Sequence, residues 1–176
     1  MSSTVWYFAR SAGILAYLLL SASVLLGVLL AGRTSFTSWP RFAVEEVHRF
    51  LAILMGVFIA LHVGALVLDT VVPISLGQAL VPFTAGYRPF AVGLGSTTLL
   101  LVAAVGVSNA LRRRLPRRVW RAIHYLTLPA WLLASLHGIL AGTDAGDPWF
   151  AAIAGGTIAA VCLSAFFRFS PKRLPA

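Results

Sequence analysis

Long apolar runs recur five times along this chain, separated by short polar, basic or proline-containing connections. A helix needs about 20 predominantly apolar residues to cross a hydrocarbon core of ~30 Å. The runs at 5–31, 42–72, 90–111, 119–141 and 149–169 therefore predict five transmembrane helices in a single domain covering 1–176. The first run exceeds the roughly 7–15 apolar residues of a signal-peptide core, so it reads as a retained helix. Between the second and third runs, Ile74 to Phe83 is apolar but too short to span, which predicts a surface-lying or partly re-entrant element. Gly93 and Gly95 in the third run suit close helix approach.

Composition agrees with the pattern. Of 176 residues 59% are hydrophobic and 11% charged, and the mean hydropathy is +0.89. Soluble domains carry about 25% charged residues, so the expected fold is an all-α membrane bundle of five helices in a lipid bilayer. The net charge of +9 does not point to nucleic acid, because the basic residues lie in short blocks between apolar runs, as topology signals do. Arg33, Arg41 and Arg49, the Arg112–Arg121 region and the tail from Arg168 share one side and hold twelve of the fourteen Lys and Arg residues; Arg10 and Arg88 fall on the other. The positive-inside rule then places the N-terminus outside and the C-terminus in the cytoplasm of a plasma-membrane (inner-membrane) protein. Trp6, Tyr87 and Trp149 mark the outer interface, Trp39 and Trp120 the inner one. Cys162 lies within an apolar run and reads as a packing residue.

The four histidines bring in candidate chemistry. His48 and His62 lie on the second span and His124 and His137 on the fourth, 14 and 13 residues apart. At ~1.5 Å per residue each interval is roughly 20 Å, so each helix carries one imidazole towards each membrane face. Both helices run in the same direction, which sets His48 opposite His124 and His62 opposite His137. Two stacked imidazole pairs are the axial ligand set of two six-coordinate haems, held without an open iron site and suited to electron transfer. Each ligand needs a partner for its second ring nitrogen, and a backbone carbonyl one turn back is the expected one. The 13-residue interval falls ~140° off phase on a regular helix, and Pro129 between the two histidines offers a kink that could rephase it. Arg49, Arg121 and Arg41 are candidates for inner haem propionates, Arg10 and Arg88 for outer ones; each could equally be an interface anchor. Met55 and Trp131 fall midway between the pairs and read as core.

With these residues in hand, the chain resembles the ferric reductase-like transmembrane domain, the haem-bearing module of ferric reductases, NADPH oxidases and bacterial haem-binding flavocytochrome subunits. The carriers are His48 with His62, Trp120-Arg121-x-x-His124 with His137, and Ala9-Arg10; His137-Gly138 followed by Gly142-Thr143-Asp144 is similar to bacterial members. The resemblance implies two haems b, with His48 and His124 on the inner and His62 and His137 on the outer, an arginine such as Arg10 near the outer haem, and electron flow outward. Full reductases continue into a flavin- and nicotinamide-binding region. No glycine-rich dinucleotide fingerprint is found here, so no flavin or nicotinamide site is expected in the chain. Electrons are then expected from a separate cytoplasmic flavoprotein or from quinol, passing to a ferric chelate, dioxygen or a periplasmic protein. A quinol-oxidising cytochrome b, and a non-redox membrane protein whose histidines pack or relay protons, are the competing readings.

Overall fold

The computed structural model describes residues 3–31, 39–70, 72 and 74–169, all helix and connection with no strand among them. The linker carrying Arg33 and the basic tail beyond Phe169 lie outside the described residues. Seven helices follow in order: α1 Ser3–Ala31, α2 Arg41–Leu68, α3 Leu76–Leu80, α4 Pro89–Ala110, α5 Arg117–His124, α6 Thr127–Ala141 and α7 Pro148–Phe169. Five segments are long and apolar enough to cross a membrane, with α5 and α6 together forming the fourth, Arg117–Ala141. The chain is a multi-pass helical membrane protein.

Prolines set several of the boundaries. Pro89 and Pro148 open α4 and α7, and Pro40 and Pro116 cap α2 and α5, positions where a missing N–H costs nothing. Two prolines also end helices. A proline ring clashes with the carbonyl four residues before it. For Pro73 that carbonyl belongs to Asp69, and α2 stops at Leu68 with Asp69 turned out to φ −73°, ψ 131°. The expected continuation to residue 72 is thus four residues too long. For Pro129 the carbonyl belongs to Tyr125, and the fourth span breaks there into α5 and α6. Around the break Leu126 N–H donates to Ile123 O at 3.0 Å and Leu128 N–H to Tyr125 O at 3.1 Å. These three-residue closures turn ~120° per residue rather than ~100°. They advance the helix in the direction that brings His137 back toward the face of His124.

The short element after α2 is α3, opened by a capping box. Gln78 N–H donates to Ser75 Oγ at 3.2 Å, and Ser75 N–H to Gln78 Oε1 at 3.0 Å. α3 rests against α4.

α1 is the hub. It packs along α2 and also touches α6 and α7, while α4 packs chiefly on α6. The mid-depth core joins Leu20 and Val24 of α1, Met55 of α2, Trp131 of α6 and Val161 of α7, so Met55 and Trp131 are core residues. Trp131 Nε1–H donates to Ser21 Oγ at 3.0 Å, and the Tyr17 hydroxyl lies 2.7 Å from Thr157 Oγ1 and 3.2 Å from Ser135 Oγ. Hydroxyls and indole thereby satisfy one another where water is scarce. Phe50, Ile53 and Val57 of α2 are more than half or about half exposed, as lipid-facing residues are.

Candidate functional site

α2 and the α5–α6 span are not closely packed on one another, yet their histidines meet at two levels. The rings of His48 and His124 have centroids 6.2 Å apart at 68°, and those of His62 and His137 are 6.3 Å apart at 77°. These are the pairs that parallel helix direction dictated. A metal–imidazole bond is about 2.0 Å and the ring nitrogen lies about 1.1 Å from the ring centre, so two imidazoles on opposite sides of one ion would put their centroids about 6.2 Å apart. Edge-to-face ring pairs occupy the same range; the ring nitrogens separate the two cases.

His62 Nδ1 lies 2.7 Å from Ala9 O and His137 Nδ1 2.8 Å from Ala91 O. A carbonyl can only accept, so Nδ1 carries the proton in both rings and Nε2 is left with the lone pair, the state a metal ligand needs. His48 Nδ1 lies 3.2 Å from Ser23 Oγ. The expected partner, a carbonyl one turn back on the histidine's own helix, is not what forms. The acceptors come from the neighbouring helices α1 and α4, because a carbonyl's second lone pair faces outward from its own helix, towards a neighbour. His124 differs again. Its buried Nδ1 has no hydrogen-bond partner among the described residues, and its ring stacks on Trp120, centroids 5.2 Å apart at 25°.

The three anchored rings share one device. Ala9, Ser23 and Ala91 each supply the hydrogen-bond partner, and a glycine follows four residues later: Gly13, Gly27 and Gly95. A side chain four residues on would stand over the acceptor, so its absence opens a notch. A Cβ built on Gly13 would lie 2.8 Å from His62 Nδ1, and one on Gly95 2.8 Å from His137 Nδ1; on Gly27 it would lie 3.5 Å from His48 Cε1. The α1 notches are 14 residues apart, as are His48 and His62, so two antiparallel helices stay in register over both levels. Gly93 and Gly95 each make room for a ring: Gly93 receives the Phe83 ring and Gly95 the His137 ring. Gly13→Ala and Gly95→Ala are each expected to destabilise by about 1–3 kcal/mol through overpacking. Gly27→Ala, at ordinary contact distance, should cost no more than about 0.5 kcal/mol. Thermal unfolding in detergent checks the contrast, and equal losses at all three positions would remove the notches from the account.

The arginines divide. Arg10 forms an ion pair with Asp144, from the turn after α6, and lies 5.4 Å over the Tyr7 ring. Both members line the apolar cavity that contains His62 and His137. Arg88 donates to Leu140 O at 2.8 Å beside Tyr87, Arg49 pairs with Glu46 at 2.6 Å, Arg41 with Glu45 at 3.1 Å, and Arg121 donates to the Tyr125 hydroxyl at 3.4 Å. Arg10 thus shares a cavity with a histidine pair.

No group of three His, Cys, Asp or Glu converges on a metal site among the described residues. Two imidazoles alone leave four positions of an octahedral ion to a non-protein ligand, and a planar tetrapyrrole supplies four. At the outer pair the donor set, the fixed tautomers and the cavity lined by both rings suit such a group.

Fold and site together define a helical membrane protein of five candidate spans with two half-buried histidine pairs at different depths. The chain belongs to the family described as Domain of unknown function (DUF8596), whose model matches residues 4–144. That range takes in both histidine pairs, all three notches and Asp144. No curated protein and no solved structure matches the chain.

Proposed function

We propose that this protein conducts electrons across a membrane through two haems b, as the resemblance to the ferric reductase-like transmembrane domain implies. The observation that carries the reading is the pair of imidazole separations, 6.2 and 6.3 Å, joined to anchored Nδ1 atoms. His48 and His124 hold the inner group, His62 and His137 the outer. When bound, a haem between two neutral imidazoles changes oxidation state with little rearrangement and no open coordination site.

The chain's own residues do the rest. Ala9 O, Ala91 O and Ser23 Oγ orient three ligands from behind, and Trp120 holds the fourth by stacking. The Leu20, Val24, Met55, Trp131 and Val161 core fills the depth between the pairs and excludes water from it. Arg10, fixed by Asp144, places a cation beside the outer pair. The positive-inside rule orients the Arg112–Arg118 connection to the cytoplasm of a plasma membrane. The donor is then a cytoplasmic flavoprotein or quinol, and the acceptor an outer-side ferric chelate, dioxygen or protein.

The test is a haem-to-protein ratio with a reduced-minus-oxidised spectrum of the purified protein. Low-spin haem b at close to two per chain is expected. A colourless protein would return the histidines to packing or proton relay. Reporter fusions at the Arg112–Arg118 connection check orientation independently; an outer-side signal would reverse it.

A further inference from the structure

Between α4 and the first turn of α5, seven residues hold five arginines: Arg112, Arg113, Arg114, Arg117 and Arg118. All five are exposed. None makes an ion pair or side-chain hydrogen bond among the described residues, whereas Arg10, Arg41, Arg49, Arg88 and Arg121 are all engaged. The described residues do not supply the missing counter-charge. The chain has five acids in all. Glu45, Glu46 and Asp144 are taken, Asp69 is buried, and Asp147 lies in the turn after α6, at the end of the bundle nearer His137. Among the described residues no acid is left to neutralise this cluster.

The cluster borders a histidine pair through one ring. Trp120 Nε1–H donates to Asn109 Oδ1 at 2.8 Å, which ties α5 to the end of α4, and its indole stacks on His124. The same indole lines a shallow groove on α5 with Arg117, Arg118, Arg121 and Tyr125. A span of 25 residues is ~37 Å long if straight, more than the ~30 Å hydrocarbon core, so the arginines that precede and open it stand outside the apolar layer. Charge alone would suit anionic lipid headgroups equally. The ring shared by groove and His124 favours a redox protein, since it gives whatever docks there a conjugated contact with the inner pair.

We infer that the Arg112–Arg118 cluster, with Trp120 at its floor, is the docking surface for the acidic face of a soluble electron-carrying protein. The inference rests on the electron-transfer reading and adds to it the place and charge of the partner.

The full-length protein in nanodiscs of phosphatidylcholine alone is titrated with an acidic, FMN-carrying flavodoxin. Saturable binding is expected, weakening about tenfold or more between low and physiological salt and competed by poly-L-glutamate. Changing all five arginines to Gln should weaken it by at least about tenfold. The corresponding five-Lys variant, which keeps the topology signal, should stay within about threefold. The salt series on the unaltered protein stands even if the Gln variant fails to insert. Salt-insensitive binding, equal binding by the Gln variant, or no flavodoxin binding alongside attachment to phosphatidylserine vesicles would each overturn the inference, the last in favour of a lipid contact. An absorption spectrum of the same sample separates the two claims. A pigmented protein that ignores flavodoxin sinks the docking surface alone, and a colourless one that binds it sinks the haem reading alone.

Discussion

Replacing His62 by alanine is expected to halve the haem content and leave a single potentiometric wave from the His48–His124 centre. The two levels are ~20 Å apart along α2, so the surviving centre should keep its spectrum. His48→Ala should give the complementary result, with the outer centre retained. The fold should survive either change. Each removes one hydrogen bond, to Ala9 O or Ser23 Oγ, worth about 1 kcal/mol, and the Leu20–Met55–Trp131 core between the levels is untouched. A haem assay with a redox titration reads the outcome. Full haem content in either inserted variant would falsify the ligand assignment, and loss of both haems would mean the two levels are not independent.

Asp144→Ala is expected to destabilise the protein by about 2–4 kcal/mol. The substitution leaves Arg10 as an unpaired cation in an apolar cavity, its side chain one-quarter exposed. The full penalty of a buried pair is reduced by that exposure. Arg10→Met with Asp144→Leu should recover most of the loss, because an apolar pair needs no partner there. A double-mutant cycle on thermal unfolding in detergent measures the coupling. Additive effects of the two single changes would show that Arg10 and Asp144 act separately. The same cycle, followed by the outer-centre potential, tests whether the pair also sets the charge beside His62 and His137.

The histidine pairing was legible because direction and spacing are one-dimensional quantities. Two helices running the same way, with ligands 14 and 13 residues apart, leave one arrangement of partners. The phase error of the 13-residue interval was legible too, and so was Pro129 as the residue able to relieve it. The form of the relief, a break at Tyr125 with tight turns on either side, follows from the carbonyl that a proline at 129 must avoid. The same rule applied to Pro73 would have ended α2 at Leu68 instead of Val72. The Ala9–Gly13, Ser23–Gly27 and Ala91–Gly95 notches were present as small-residue spacings, and the 14-residue repeat of the first two matches the histidines. They passed unread because a glycine four residues after an alanine has no meaning until a ring is known to approach it.

The amino-acid sequence by itself determined the five spans, the two histidine-bearing helices and their shared direction, since apolar run length, helical rise and the distribution of arginine are local properties. Only the tertiary structure decided that α1 and α4 furnish the hydrogen-bond partners behind three rings, that Asp144 closes on Arg10 across 134 residues, and that the Arg112–Arg118 cluster has no counter-ion among the described residues. Those features depend on the register between helices. Register is set by the summed packing of many side chains, and no single stretch of sequence carries it.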